Sequence, residues 1–215
     1  MWYHKTVNGF IGEGLPMREL IKKTVSITLA AVAGAILLGV AACMLFFPSS
    51  VSEAAYGMGM YKISASFAKS AYGRSGDFGD LKVLVERSIL AEKHAYVVKY
   101  APEFIGNEKF SATSQAEDSA LKDGWRGSYF YYITGNFAVS LYVTENTSAA
   151  LETAVLYTQS YEKYNSTEYL LKAVIDADDR EFGKELLSEM KKYVFEGEEA
   201  ELLLRDINIL ESFIG

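Results

Sequence analysis

Two histidines, His4 and His94, and one cysteine, Cys43, are the only imidazole and thiol groups in this 215-residue chain. A zinc site or an activated nucleophile needs such groups in clusters, and none are clustered here. His94 falls at a predicted helix junction, where a turn or capping role fits better than a general base. The acidic pairs Asp178-Asp179 and Glu198-Glu199 could in principle divide acid and base work. Both stand at predicted helix starts, where carboxylates cap free N–H groups and complement the helix dipole. Glycosidase-type catalysis would need two carboxylates facing each other across a cleft, an arrangement that sequence alone does not show. Gly57-Met58-Gly59 has no strand before it and so is no nucleotide fingerprint. The expectation is a protein that is not an enzyme and uses no metal or cofactor.

What is distinctive is aromatic. Tyr129-Phe130-Tyr131-Tyr132 is followed by Phe137, Tyr142, Tyr157, Tyr161, Tyr164 and Tyr169. Four consecutive aromatics cannot share one helix face, so some must meet solvent or a second helix. Tyrosine suits an interface because its ring is rigid and apolar while its hydroxyl can stay wet. Helix packing is the first use of these rings; where they stay exposed, Tyr129, Tyr131, Tyr132, Tyr142, Tyr157 and Tyr161 are the candidate partner-binding residues.

The elements that position these residues begin with a membrane segment. Residues 25–47, VSITLAAVAGAILLGVAACMLFF, carry no charge. As a helix they span about 35 Å, against roughly 30 Å of bilayer hydrocarbon. Residues 1–24 hold Lys5, Arg18, Lys22 and Lys23 against Glu13 and Glu19, a net of +2, so a chain of net charge -7 leaves -9 for the remainder. The basic flank predicts a cytoplasmic N-terminus, one span, and an extracytoplasmic region from residue 48 to 215. An acidic body disfavours nucleic acid and anionic lipid as partners, since both need clustered Lys and Arg. With Cys43 inside the span, the outer region holds no disulfide, which reads as a bacterial envelope protein. Val40-Ala41-Ala42-Cys43 also has the form of a lipobox, so lipidation at Cys43 is the alternative to an uncleaved anchor. The sequons at Asn146 and Asn165 carry little weight. Ala31, Ala35, Gly39 and Cys43 recur every four residues and form a ridge of small side chains that would let a second helix approach.

Beyond the span the periodicity is helical throughout, predicting an all-α fold. One helix is expected from Ser52, as its cap, through Ala55, Met58, Tyr61, Ala65, Ala68 and Tyr72 to Gly76-Asp77. Asp80 then opens a helix through Leu81, Leu84, Val85 and Ile89. His94–Phe104 follows, interrupted by Pro102. Residues 106–124 read as a polar loop holding a short helix and as a place where the domain could subdivide. Helices are then expected over 125–144, 147–163, 166–177, 179–193 and 198–213. At an offset of 86 residues, Leu84-Val85, Ile89, Ala91-Glu92 and Tyr96 correspond to Leu170-Leu171, Ile175, Ala177-Asp178 and Phe182. That is one helical hairpin used twice, a unit of the kind that stacks.

Tyr72-Gly-Arg-Ser-Gly76-Asp77-Phe78 resembles the Tyr-x-x-x-Gly-Asp-Tyr/Phe turn of the tetratricopeptide and related helical-repeat families. Phe137-Ala138, Leu141, Asn146 and Ala150 fit a similar frame, with Glu145 where the family prefers Gly. The resemblance covers about three hairpins and implies a solenoid whose concave surface holds a peptide or partner protein. The expected function is a membrane-anchored extracytoplasmic scaffold or protein-interaction domain of the cell envelope. A self-assembling homo-oligomeric subunit of a membrane complex is the first alternative, and a lipoprotein or a carboxylate-dependent envelope hydrolase the next.

Overall fold

The computed structural model describes residues 17–120, 128–159 and 165–215, and these form eleven helices and no strand. The chain divides after Phe47 into two units. The first contains α1, Met17–Phe46, whose stretch Ile21–Phe46 is long and apolar enough to cross a membrane. This stretch has a mean hydropathy of 2.5 and begins before the uncharged run, taking in Lys22 and Lys23.

The second unit, Pro48–Gly215, holds α2 (Pro48–Gly57), α3 (Tyr61–Ser75), α4 (Phe78–Leu90), α5 (His94–Ile105) and α6 (Phe110–Ala120). These are followed by α7 (Tyr129–Val143), α8 (Thr147–Tyr157), α9 (Ser166–Asp176), α10 (Arg180–Met190) and α11 (Gly197–Ile214). Each of α3 to α5 packs on the helix before it, and α5, α7, α9 and α11 then pack in succession with α8 and α10 flanking them. A core of Leu81, Val85, Phe104, Ile133, Leu170 and Leu186 runs through both parts.

The expected single helix from Ser52 to Gly76 is two helices. The apolar period continues across Met58-Gly59-Met60, but Gly59 adopts φ 72°, a left-handed conformation that ends a helix. Met60 N–H then reaches back to the Ala55 carbonyl at 2.8 Å and closes the turn. Ser52 is accordingly no cap: it lies inside α2, fully buried, and its hydroxyl donates to the Ser64 carbonyl at 2.9 Å. The cap of α4 is Asp77, not Asp80, with the Gly79 N–H donating to its Oδ1 at 2.6 Å. Pro102 sits in the last turn of α5, where the helix continues to Ile105.

The same turn recurs four times. Gly59, Glu92, Glu145 and Asp178 all have left-handed φ, at 72°, 53°, 64° and 52°. After each, the next N–H bonds a carbonyl five residues back: Met60 to Ala55, Lys93 to Ser88, Asn146 to Leu141 and Asp179 to Val174. That is the six-to-one bond of a Schellman cap. Glu145 and Asp178 each lie 86 residues after Gly59 and Glu92, the offset already visible at Leu84/Leu170. The equivalence extends to the helices: α2–α6 and α7–α11 follow one another in the same register. Burial repeats with it, at Ser52/Ala138, Ser64/Ala150, Ala68/Ala154, Leu84/Leu170 and Phe104/Met190. The unit is thus a doubled block of five helices.

Candidate partner-binding surface

α7 carries the aromatic run, and it is apolar on every side because helices lie on every side of it. Its neighbours are α5, α6, α8 and α9. A helix surrounded in this way buries residues that an amphipathic helix would expose. Ser128 caps it, accepting from the Tyr131 N–H at 3.4 Å. Tyr129 and Tyr131 are buried, at 8% and 6% exposure, so these two rings take the packing use. Phe130, Tyr132, Tyr142 and Tyr157 are half-buried. Tyr161 and Tyr164 lie outside the described residues.

The rings form a ladder from α4 to α8. Phe78 meets Phe104 at 5.2 Å between centroids, Phe104 meets Phe110 at 5.0 Å, Phe110 meets Phe130 at 5.9 Å, and Phe130 meets Tyr157 at 5.9 Å. Such offset and edge-on pairs add to the burial of the rings themselves. The Tyr129 hydroxyl donates to Glu86 at 2.8 Å, and burial together with that carboxylate pushes its ionisation upward. Burial does the same for Tyr132. Tyr142 stacks on Phe182 at 5.1 Å and donates to Asp179 at 3.0 Å, and burial followed by that hydrogen bond raises its pKa to about 12. These tyrosines stay neutral donors through the physiological range, which suits structural hydrogen bonding.

The remaining candidates fall where their local chemistry puts them. His94 opens α5, and its Nδ1 lies 3.1 Å from the Ser140 hydroxyl of α7, tying the two helices together. Asp179 caps α10 by accepting from the Phe182 N–H at 3.1 Å, and Glu198 and Glu199 occupy the first turn of α11. Ala31, Ala35, Gly39 and Cys43 are exposed on α1, and Cys43 is a free thiol. Among the described residues no group of three or more His, Cys, Asp or Glu side chains could hold a metal ion.

Surface features that the sequence did not announce lie elsewhere. Met58, Met60, Tyr61, Ile63 and Leu90 are exposed around the Gly59 and Glu92 turns, beside a depression of about 510 Å³. Met58 and Tyr61 belonged to the expected helix face, and the break at Gly59 turns them outward. A second groove, of about 320 Å³, runs between α2 and α4 over α3. The Arg87 guanidinium, which is not among the groove's lining residues, pairs with Glu53 at 3.0 Å and lies 3.1 Å from the centre of the Tyr56 ring, joining α4 to α2. No sequence signal marks this groove, because it depends on which side chains are small where three helices meet.

No family model matches the chain, and neither a curated protein nor a solved structure matches it.

Proposed function

We propose that this chain is a membrane-anchored scaffold of a bacterial cell envelope, whose 48–215 region lies outside the cytoplasm and holds a protein or peptide partner. The observation that carries this reading is the joining of one membrane-length apolar helix to a unit built from a single hairpin turn used four times. Repeated hairpins make extended surfaces in place of a deep catalytic pocket, which favours recognition over chemistry and supports a tetratricopeptide-like arrangement. Lys22 and Lys23 before α1 favour a cytoplasmic N-terminus. The acidic body favours a protein partner over nucleic acid.

Site-directed photocrosslinking in intact cells tests the partner. A crosslinker at Met58 or Tyr61, both exposed, should capture one defined envelope protein, whereas recovery of the chain alone would overturn the reading. Topology is tested separately in a Cys43→Ser background. An impermeant maleimide should label Lys62→Cys in intact cells, and Lys5→Cys only after lysis; the reverse pattern would place the domain inside.

The exposed ridge Ala31, Ala35, Gly39 and Cys43 on α1 favours a second reading, self-assembly through the membrane helix. A monomeric mass in detergent rules that out.

A further inference from the structure

The two five-helix blocks share their turns and buried positions, yet they differ at one place in a way that points to a ligand. In the second block, α9 closes onto α7. Tyr169 lies so tightly over Gly135 that a Cβ there would sit 2.5 Å from the ring. Tyr157 of α8 packs its ring against Phe130 of α7. In register 86 residues earlier, Gly135 corresponds to Ser49, Tyr157 to Ala71 and Tyr169 to Val83. Ser49, Ala71 and Val83 all line the groove between α2 and α4. The first block therefore has a methyl group and an isopropyl group where the second has two tyrosine rings, and open volume remains there.

The groove's polar rim has one sign. Glu53 on α2 and Asp80 on α4 both line it, and no Lys or Arg is among its lining residues. Glu53 is largely exposed, with 69% of its side chain accessible even though it pairs with Arg87. Its floor is Ala68 and Ala71 of α3, both buried and both too small to fill it. A cavity with an apolar floor and an acidic rim takes a flat apolar group carrying or flanked by positive charge. We infer that this groove receives an aromatic side chain, set between basic residues, from a partner polypeptide, in the place that Tyr157 and Tyr169 fill in the second block. The inference rests on the scaffold reading above and names the chemistry of its partner.

The test uses the full chain in lipid nanodiscs with methyl-labelled alanine and valine. Three synthetic probes are titrated: Gly-Ser-Arg-Tyr-Arg-Ser-Gly, the same peptide with the tyrosine replaced by alanine, and the same peptide with both arginines replaced by glutamate. The first should shift the Ala71 and Val83 methyl signals. Each of the others should bind about tenfold more weakly or less, since one loses the buried ring and the other the charge match. Val83→Tyr, which copies the second block, should keep the helical spectrum and lose the peptide response at Ala71; Val194→Tyr, the same change at an exposed residue outside the groove, should retain it. Equal binding of the three peptides, no binding of the first, or undiminished binding by Val83→Tyr would overturn the inference. Concentration-dependent shifts of Ala71 and Val83 without peptide would also overturn it, by making a second copy the occupant. If the groove fails while crosslinking from Met58 still captures a defined partner, the scaffold reading survives without this site. If both fail, the scaffold reading falls as well.

Discussion

In the first block, α2–α6, the helices meet over Ser52, Ser64, Ala65, Ala68 and Ala71, whereas at matching positions the second, α7–α11, brings Ala138, Ala150, Leu151, Ala154 and Tyr157. The turns are the same and the fillings differ. The first block joins α2 to α3 by polar contacts between small residues and leaves a groove. The second packs large rings and closes α7 against α9. The difference separates two jobs that a repeat can do: backbone turns set the path of the chain, and side-chain volume decides whether neighbouring helices close or stay apart.

The sharpest break of this comparison is at Gly135. Its added Cβ would lie 2.5 to 2.8 Å from Tyr169 atoms, including Cβ of the tyrosine, which lies close to the backbone and cannot swing away. Gly135→Ala should destabilise the protein by about 2–3 kcal/mol in urea unfolding, the range of overpacked cores. The matching Ser49→Ala, on an exposed residue lining the open groove, should change stability by less than about 0.5 kcal/mol. Equal effects would show that the two blocks close in the same way.

Next in size is the serine pair. The Ser52 hydroxyl donates to the Ser64 carbonyl at 2.9 Å, the Ser64 hydroxyl donates to the Ser52 carbonyl at 2.8 Å, and the two oxygens lie 3.2 Å apart. Both residues are fully buried, and the second block has alanines at the matching positions. Ser64→Ala alone should cost about 1–2 kcal/mol, because it removes one bond and leaves the Ser52 hydroxyl with a poorer environment. Ser52→Ala with Ser64→Ala should cost less than the sum of the singles, since it reproduces the apolar contact of the other block. Additivity in a double-mutant cycle would mean that the hydroxyls do not act as a pair.

Smaller again is the left-handed turn residue. Glycine serves at position 59, whereas Glu92, Glu145 and Asp178 hold the same conformation at a steric cost. Glu145→Gly should raise stability by up to about 1 kcal/mol, and Gly59→Ala should lower it by a similar amount. Both are read from the midpoint of thermal unfolding, and a loss on Glu145→Gly would assign that side chain a contact worth more than its strain.

Several of these features are legible in the amino-acid order alone. Apolar spacing located α4, α5, α9, α10 and α11 to within a few residues, because each keeps an apolar face and Asp179 and Glu198-Glu199 mark the starts of α10 and α11. The 86-residue offset was visible at Ala91-Glu92 and Ala177-Asp178, and those acidic residues are the left-handed ones. The break at Gly59 was not visible, since apolar residues keep helical spacing on both sides of it and only its φ shows the stop. The burial of Tyr129 and Tyr131 was legible only in part. Four adjacent aromatics must meet solvent or other helices, and the neighbours around α7 decide which rings are covered. The groove was the least legible, because Ala71 and Val83 gain meaning only beside Tyr157 and Tyr169.

The smallest effect concerns a sign reversal between the blocks. Lys82 and Glu86 pair at 3.0 Å on α4, and Lys82 reaches Glu117 of α6 at 2.9 Å. At the matching positions on α9, Glu168 pairs with Lys172 at 3.1 Å, and it reaches Arg205 of α11 at 3.7 Å. Burial works against the Lys82 charge, yet its hydrogen bonds to Glu117 and Glu86 hold its pKa above the ordinary lysine value. Pairs this accessible contribute little, so Lys82→Glu should lower stability by about 0.5–1 kcal/mol, and less in high salt. Reversing all three charges, with Lys82→Glu, Glu86→Lys and Glu117→Lys, restores the attractions but should not restore the stability. Glu86 is the acceptor for the buried Tyr129 hydroxyl, and a lysine there has no lone pair to offer. Adding Tyr129→Phe removes the orphaned hydroxyl and should bring the variant to within about 0.5 kcal/mol of the parent. Full recovery by the triple variant alone would show that Tyr129 finds another acceptor and that the charge order in the first block is free to vary.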